Sequence, residues 1–429
     1  MGQKIFLEKL FLRFLKSETF GGVCLFISMV LALIVANSNL SDWYFELWEK
    51  EFGFGFGDKF FGFSIHEWIN DVLMSFFFLM VGLEIKREFL LGELSGIQKA
   101  AFPVIAAIGG MVVPGLIYFT FNAGTDSVFG FGIPMATDIA FALGVILMLG
   151  KRVPFALKVF LVTLAVVDDL GAIIVIAVFY TSQIYWNYLL IAAGIIALLI
   201  FLNKMGIKNL IPYLILGVFL WVVVHHSGIH ATIAAVLLAF CVPLQPKEKR
   251  AAFVDFFKET LDKIYNKTDL KNETKIVKTL YKRSIATQSP LERLEHILHP
   301  WSAYFIMPLF AFANAGVNIS GNIDFTIDHI FFGVLLGLFI GKPVGIFVVT
   351  FVFEKLGIIK KPQDVAWFHI FSAGVLAGIG FTMSIFVSNL AFENLEAIEL
   401  AKIAILLASF LSAITGSCLL FLFNKIKNK

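Results

Sequence analysis

The amino-acid sequence predicts an all-α polytopic membrane protein of about twelve transmembrane helices. Three observations carry that prediction. Of the 429 residues, 59% are hydrophobic, 49 are Phe and only 15% are charged, against roughly 25% charged in a soluble globular chain. The apolar stretches run long, as from Ala156 to Tyr180 and from Phe331 to Phe353, whereas an outer-membrane barrel would alternate with period two over segments of roughly ten residues. Lys and Arg concentrate in every second loop, as in a chain that weaves through a bilayer.

Spans are expected near Leu15 to Asn37, Ile65 to Leu90, Ala100 to Phe121, Phe129 to Gly150, Val153 to Tyr180, Trp186 to Phe201 and Ile211 to Val224. Five more follow near Gly228 to Leu244, His296 to Val317, Ile330 to Phe353, Ala366 to Ser388 and Ala397 to Phe423. Basic residues precede span one (Lys4, Lys9, Arg13, Lys16) and follow spans two (Lys86, Arg87, Lys99), four (Lys151, Arg152) and six (Lys204, Lys208). They recur after spans eight and ten (Lys355, Lys360, Lys361) and at the C-terminus (Lys425, Lys427, Lys429), while the intervening loops hold only Lys50 and Lys59. The positive-inside rule then places both termini in the cytoplasm, which requires an even number of spans.

No short apolar stretch followed by a small-residue cleavage site opens the chain, so the first span is expected to stay as an anchor. Cys24, Cys241 and Cys418 sit singly in apolar segments, which argues against disulfide or zinc frameworks. The net charge of +3 matters less than where the cations lie, and no nucleic-acid partner or cofactor is expected.

The organisation that follows is residues 1–244 with spans one to eight, a cytoplasmic loop over 245–295, and 296–429 with spans nine to twelve and a short basic tail. After span one, near 48–64, Phe52, Phe54 and Phe56 alternate with Gly53, Gly55 and Gly57. That period suits a small hairpin, whose edge could pair with a second subunit. In Gln245 to Leu291, Phe253, Phe256, Phe257, Leu261, Ile264 and Tyr265 recur at helical spacing among many Lys. This reads as an amphipathic insert lying on the membrane surface, with a solvated linker as the alternative.

Asp168 and Asp169 lie deep in span five, between Leu161 to Val167 and Leu170 to Val178. An acid at mid-membrane costs about 2.5 to 3.5 kcal/mol on insertion scales, so it marks function by default. Neighbours on a helix point about 100° apart, so one acid can face a water-filled cavity and the other a partner helix. Two carboxylates this close resist joint ionisation and titrate together. A small hard cation relieves their repulsion and competes with protons for the same oxygens. The bland alternative is a buried acid paired to a base for packing, and Lys342, in Gly341-Lys342-Pro343 of span ten, is the candidate base. It serves either as a structural counter-ion or as a proton carrier.

In span four, Gly130, Gly132 and Pro134 precede Thr137-Asp138. Pro removes a helix donor and disfavours helical geometry just before it, so the helix should break there, with Thr or Asp capping the restarted half. Span eleven has a matching weak point at Gly374, Gly378 and Gly380, before Phe381-Thr382. Isolated glycines would mean close helix packing; paired interruptions in two halves of a transporter point to a binding site. At the cytoplasmic ends, Glu84, Lys86, Arg87 and Glu88 close span two, and Glu292, Arg293, Glu295, His296 and His299 open span nine. Such a cluster could sense pH; snorkelling end-charges are the plainer reading. His230 reads first as a packing residue at a helix start, and Asp71 as an entrance or cap.

These stretches resemble the NhaA-type sodium/proton antiporter family over nearly the whole chain. The resemblance rests on Val81-Gly82-Leu83-Glu84-Ile85-Lys86-Arg87-Glu88, Ala136-Thr137-Asp138-Ile139-Ala140-Phe141, Ala165-Val166-Val167-Asp168-Asp169-Leu170-Gly171, Leu294-Glu295-His296, Phe310-Ala311-Phe312-Ala313-Asn314-Ala315-Gly316, Gly341-Lys342-Pro343 and Gly378-Ile379-Gly380-Phe381-Thr382-Met383-Ser384. This family is itself a known case of inverted-repeat transporters. The resemblance implies spans three to five inverted against ten to twelve, with discontinuous spans four and eleven crossing. It implies a bacterial inner-membrane, electrogenic and pH-regulated exchanger of Na+ or Li+ for protons, not an enzyme. Asp169 and Asp168 would bind sodium and protons, with Thr137 beside the path and Lys342 paired to Asp168. Asp138 would balance the half-helix N-termini. Glu84, Glu88, Arg293, Glu295, His296 and, more weakly, His230 match positions implicated in pH activation, and the hairpin after span one matches a dimerising element. Two departures touch the pH-response region: Glu292 replaces a base often found before Arg293, and the insert has no counterpart in compact members.

Two rivals are weighed against exchange. An intramembrane aspartyl protease needs acids on different helices, each holding one side of a water, which adjacent acids on one helix cannot do. A cation channel would conduct cations without counter-transport of protons.

Overall fold

The computed structural model describes residues 18–56, 59–150, 153–181, 183–248, 250–265, 273–318, 328–362 and 365–427. The expected cytoplasmic basic residues Lys4, Lys9, Arg13, Lys16, Lys151, Arg152 and Lys429 lie outside them, as does Gly57.

The chain is mostly helical. It opens with α1 (Glu18–Ala36) and α2 (Ser41–Glu49), which meet at 112°. The Phe/Gly alternation forms an antiparallel hairpin, β1 (Glu51–Phe56) and β2 (Lys59–Ser64), registered Phe52 to Phe63 and Phe54 to Phe61. Ser64 and Glu67 form a capping box at the start of the next span, which continues through a π-helical segment, Trp68–Leu73, into α3 (Met74–Leu90). Then come α4 (Ile97–Asn122), a 3-10 segment Asp126–Met135, α5 (Ile139–Met148), α6 (Phe155–Phe179), α7 (Trp186–Lys204), α8 (Leu210–His225) and α9 (Thr232–Cys241). After α10 (Arg250–Tyr265), α11 (Glu273–Ala286) and α12 (Pro290–Trp301), a second π segment, Ser302–Ile306, leads into α13 (Met307–Asn314). The chain continues with α14 (His329–Leu336), a third π segment Gly337–Gly341, α15 (Lys342–Lys355), α16 (Trp367–Ala377), α17 (Phe381–Ala391) and α18 (Leu395–Lys427).

Two of the π segments share a cause. Each ends two residues before a proline, Pro308 and Pro343 respectively. A helical proline lacks the N–H for the preceding turn and its ring presses on that turn's carbonyl; a widened turn accommodates both.

Among the described residues, seven helical segments are long and apolar enough to cross a membrane, and nine if each of two bent pairs counts as one. Each of the twelve expected spans contains helix, yet three fall short of that measure. α8 and α9 have 16 and 10 residues, where a straight span needs about 20. The ninth expected span divides into α12, a π segment and α13, and its first turns carry Glu292, Arg293, Glu295 and His296.

The chain divides into two compact units. One comprises residues up to 77, 88–182 and from 300 onwards, and it holds the acid pair, both interruptions and Lys342. Within it α4 and α15 approach backbone to backbone: a Cβ built on Gly345 would lie 2.1 Å from the Gly109 carbonyl oxygen. Only glycine on both faces allows that contact, and it seats Lys342 at the head of α15.

The other unit comprises 78–87 and 183–299. There the buried Lys86 ammonium donates to the carbonyl oxygens of Phe240 and Val242, at 2.7 and 2.5 Å, so a cation caps the C-terminal end of α9. The described part of the insert is two helices, α10 and α11. Arg283 lies 3.8 Å over the Phe256 ring and 3.4 Å from Glu248. The Glu248 N–H donates to Ala286 O at 2.9 Å and the Leu291 N–H to Pro243 O at 3.2 Å, so the insert leaves and returns at one point beside the end of α9. Residues 266–272 lie outside the described set.

Candidate functional site

Two thirds of the apolar window of α6 is buried, against 11% for α7. A helix so enclosed can carry polar groups away from lipid, and α6 carries Asp168 and Asp169, both essentially buried. Asp168 Oδ2 accepts from the Lys342 ammonium at 2.6 Å, with both side chains fully buried, and from the Thr137 hydroxyl at 2.7 Å. Lys342 Nζ also donates to Thr137 Oγ1 at 2.5 Å. A buried ion pair with a hydroxyl bridging both partners satisfies charges that would otherwise be very costly in low dielectric. The other carboxylate oxygen, Asp168 Oδ1, is buried and accepts no hydrogen bond from the described residues. Buried acceptors are nearly always satisfied, so such an oxygen calls for an explanation. Asp169 is the next residue, turned by about 100°.

The interruptions lie where the sequence placed them, with one shift. Pro134 falls inside the 3-10 segment, and the extended residues are Ala136 to Asp138. Span eleven unwinds at Gly378 to Gly380, with α16 and α17 bent by 49°. The two unwound stretches bond to each other, the Asp138 N–H donating to Ile379 O at 2.7 Å. Free backbone groups inside an apolar medium are thereby paired.

Asp138, rather than Thr137, is the N-cap of α5. Its Oδ1 accepts from the Phe141 N–H at 2.9 Å. Its Oδ2 accepts from the Thr382 N–H at 3.1 Å and the Thr382 hydroxyl at 2.5 Å. One carboxylate therefore meets the positive ends of two half-helices, α5 and α17, the charge that two converging helix N-termini call for.

Sequence reasoning missed Thr382 as a site residue. Its signal was available, since a Thr after an unwound Gly stretch in span eleven mirrors Thr137 in span four. Gly378 is fixed by space: a Cβ there would lie 2.6 Å from the Leu338 carbonyl oxygen and 2.7 Å from Ser412 Oγ.

The residues matched to pH response are spread out. Glu84 and Glu88 lie one turn apart on α3. Arg293, Glu295 and His296 sit on α12, where His296 is exposed. Glu295 pairs at 2.6 Å with Arg87, one of the charges that close span two though not one of the positions matched to pH activation. His230 precedes α9 and its Nδ1 hydrogen-bonds Thr232 Oγ1 at 2.9 Å. Glu292, the departure from the family pattern, has a local role: its carboxylate accepts the Ser289 N–H at 3.0 Å while Ser289 Oγ accepts the Glu292 N–H at 3.1 Å. This capping box starts α12.

Comparison with known proteins identifies the family. Residues 12–420 match the family model described as Na+/H+ antiporter 1. A Na(+)/H(+) antiporter NhaA of Helicobacter pylori strain P12 is 59% identical over 96% of this chain and 95% of that protein. One of Wolinella succinogenes is 57% identical over 99% and 95%, and the Na(+)/H(+) antiporter NhaA 2 of Helicobacter hepaticus is 57% identical over 97% and 96%. A solved sodium proton antiporter, MjNhaP1 of Methanocaldococcus jannaschii, aligns over 94% of this chain and 91% of that one, at 12% identity and a TM-score of 0.48, too remote to add to the description of the fold. On the match across almost its full length, this chain belongs to the NhaA-type Na+/H+ antiporter family.

Proposed function

We propose that the protein exchanges cytoplasmic Na+ or Li+ for external protons, and that the two compete for the carboxylates of Asp168 and Asp169. The observation that carries this reading is the unsatisfied buried oxygen of Asp168 beside a second buried acid. Its companion oxygen is already held by Lys342 and Thr137, so a proton or a cation arriving at the pair has an acceptor waiting. Lys342 offsets one negative charge. Asp138 keeps the half-helix ends neutralised whichever ligand is bound.

Two carboxyl protons exchanged for one monovalent cation make the cycle electrogenic, driven by the inward proton gradient. Competition also fixes the sign of the pH dependence. A higher proton concentration competes with sodium for the same oxygens and raises the apparent KM for sodium. The charged groups Glu84, Glu88, Arg293, Glu295, His296 and His230 adjust activity with pH from outside the transport pair.

The surrounding arrangement belongs to the same proposal. It has twelve spans with both termini in the cytoplasm of a bacterial inner membrane. Spans three to five are inverted against ten to twelve, and spans four and eleven cross at their interruptions. The insert lies on the cytoplasmic face, and a homodimer forms through the β1–β2 hairpin.

The test is a sodium or lithium pulse on energised everted vesicles, read by a pH-sensitive dye. Wild type should dissipate the proton gradient and Asp169→Asn should not. A full response from Asp169→Asn would remove the acid pair from the mechanism. Cation conduction without proton movement would make the protein a channel.

A further inference from the structure

At the other end of α17 lies a polar cluster that the exchange reading leaves unused. Asn314, the last residue of α13, is fully buried. Its Oδ1 accepts from Asn389 Nδ2 at 2.8 Å and, with the imidazole proton on Nε2, from His66 at 3.1 Å. Its Nδ2 donates to Asn70 Oδ1 at 2.9 Å and to Phe310 O at 3.0 Å. One amide thus ties together the first turns of span two, the end of α13 and the last turns of α17. The amide's own support is firm, because the Tyr44 hydroxyl donates to Phe312 O and Asn37 Nδ2 donates to Val317 O at 2.8 Å.

α17 has 11 residues, about 16 Å of helix. Its first turn carries Thr382 on Asp138 and its last turns carry Asn389 on Asn314. A fully buried amide that makes four hydrogen bonds is costly to free. A single short helix passes a displacement at one end to the other. We propose that Asn314 is a positioning residue for ion exchange: through Asn389 it holds α17 where Thr382 reaches Asp138, and so keeps Thr137 set on Asp168 and Lys342. This inference rests on the exchange function proposed above.

The experiment measures sodium-dependent proton flux in proteoliposomes for wild type, Asn314→Ala, Asn389→Ala and the double variant, with hydrogen exchange at the amides of 381–384 as a second readout. Each single variant should raise the KM for sodium about fivefold, the equivalent of one net hydrogen bond, with kcat nearly unchanged. The double variant should be no worse than Asn314→Ala alone, which already removes the link that Asn389→Ala removes. Asn389→Gln, which keeps the donor amide, should recover much of the loss. Amides 381–384 should exchange faster in Asn389→Ala although they lie a full helix away. Unchanged KM in the folded single variants, additive effects in the double, or unchanged exchange at 381–384 would each overturn the proposal. If Asn314→Ala does not fold, Asn389→Ala decides. A wild type without sodium-dependent proton flux would sink the exchange reading instead, and the hydrogen-exchange arm would still test the lock.

Discussion

The two interruptions, at Ala136 to Asp138 and at Gly378 to Gly380, differ in what they bring to the site. The first carries its own acid, and Asp138 caps the half-helix that follows it. The second carries only glycines around Ile379 and borrows the same carboxylate through Thr382. The first also reaches the ion pair directly through Thr137, whereas the second supplies Ile379 O as a backbone acceptor. One break is therefore chemical and the other spatial: the first needs particular side chains, the second needs their absence. That division predicts unequal responses to substitution.

Asp138→Ala should have the largest effect, because it strips the cap from both half-helices at once. Three donors lose their acceptor, and the two from Thr382, which are buried, cost about 1 to 3 kcal/mol each. The purified protein should melt at a markedly lower temperature and exchange should be nearly abolished. A mild phenotype would show that the helix ends are neutralised by other groups. Gly378→Ala comes next. Its Cβ would press on the Leu338 carbonyl, an overpacking cost of about 1 to 3 kcal/mol, read in the same melting assay. Normal stability would mean that the second break has room to spare.

Thr382→Ala should cost about 1.5 kcal/mol, the loss of one hydroxyl bond to a carboxylate, and Thr382→Ser should restore it. An equal loss in both variants would assign the residue's role to packing of its methyl group. The smallest effect is expected where neither break is touched. Arg87→Gln removes a half-exposed ion pair with Glu295, worth less than about 1 kcal/mol. It should displace the pH profile of transport while leaving the maximal rate close to wild type.

Legibility from sequence followed the size of the local anomaly. Long apolar runs announce a span by themselves, because lipid exposure is a property of a single helix, and α4, α6 and the run from α14 through α15 (His329–Lys355) lie within a few residues of expectation. α9 lies inside the expected Gly228 to Leu244 but has only ten helical residues, and its end is finished by Lys86 from far away in the chain, which no local pattern announces. Asp168, Asp169 and Lys342 were conspicuous because charge in lipid is costly. Asn70, Asn314 and Asn389 were not, because neutral amides in a membrane helix look unremarkable until the partner that satisfies them is known. The choice of Asp138 over Thr137 as the cap was left open by spacing alone. Only the approach of α6 and α15 shows that the Thr137 hydroxyl is already engaged with Asp168 and Lys342.

The central claim is that sodium and protons compete for the Asp168–Asp169 pair. Titration calorimetry of the purified protein with NaCl, repeated in buffers of different ionisation enthalpy, tests it most directly, because it counts protons released as the cation binds. Sodium binding to wild type should release protons and should weaken as the pH falls, and Asp169→Asn should show no binding heat. Sodium binding without proton release, or undiminished binding by Asp169→Asn, would contradict it.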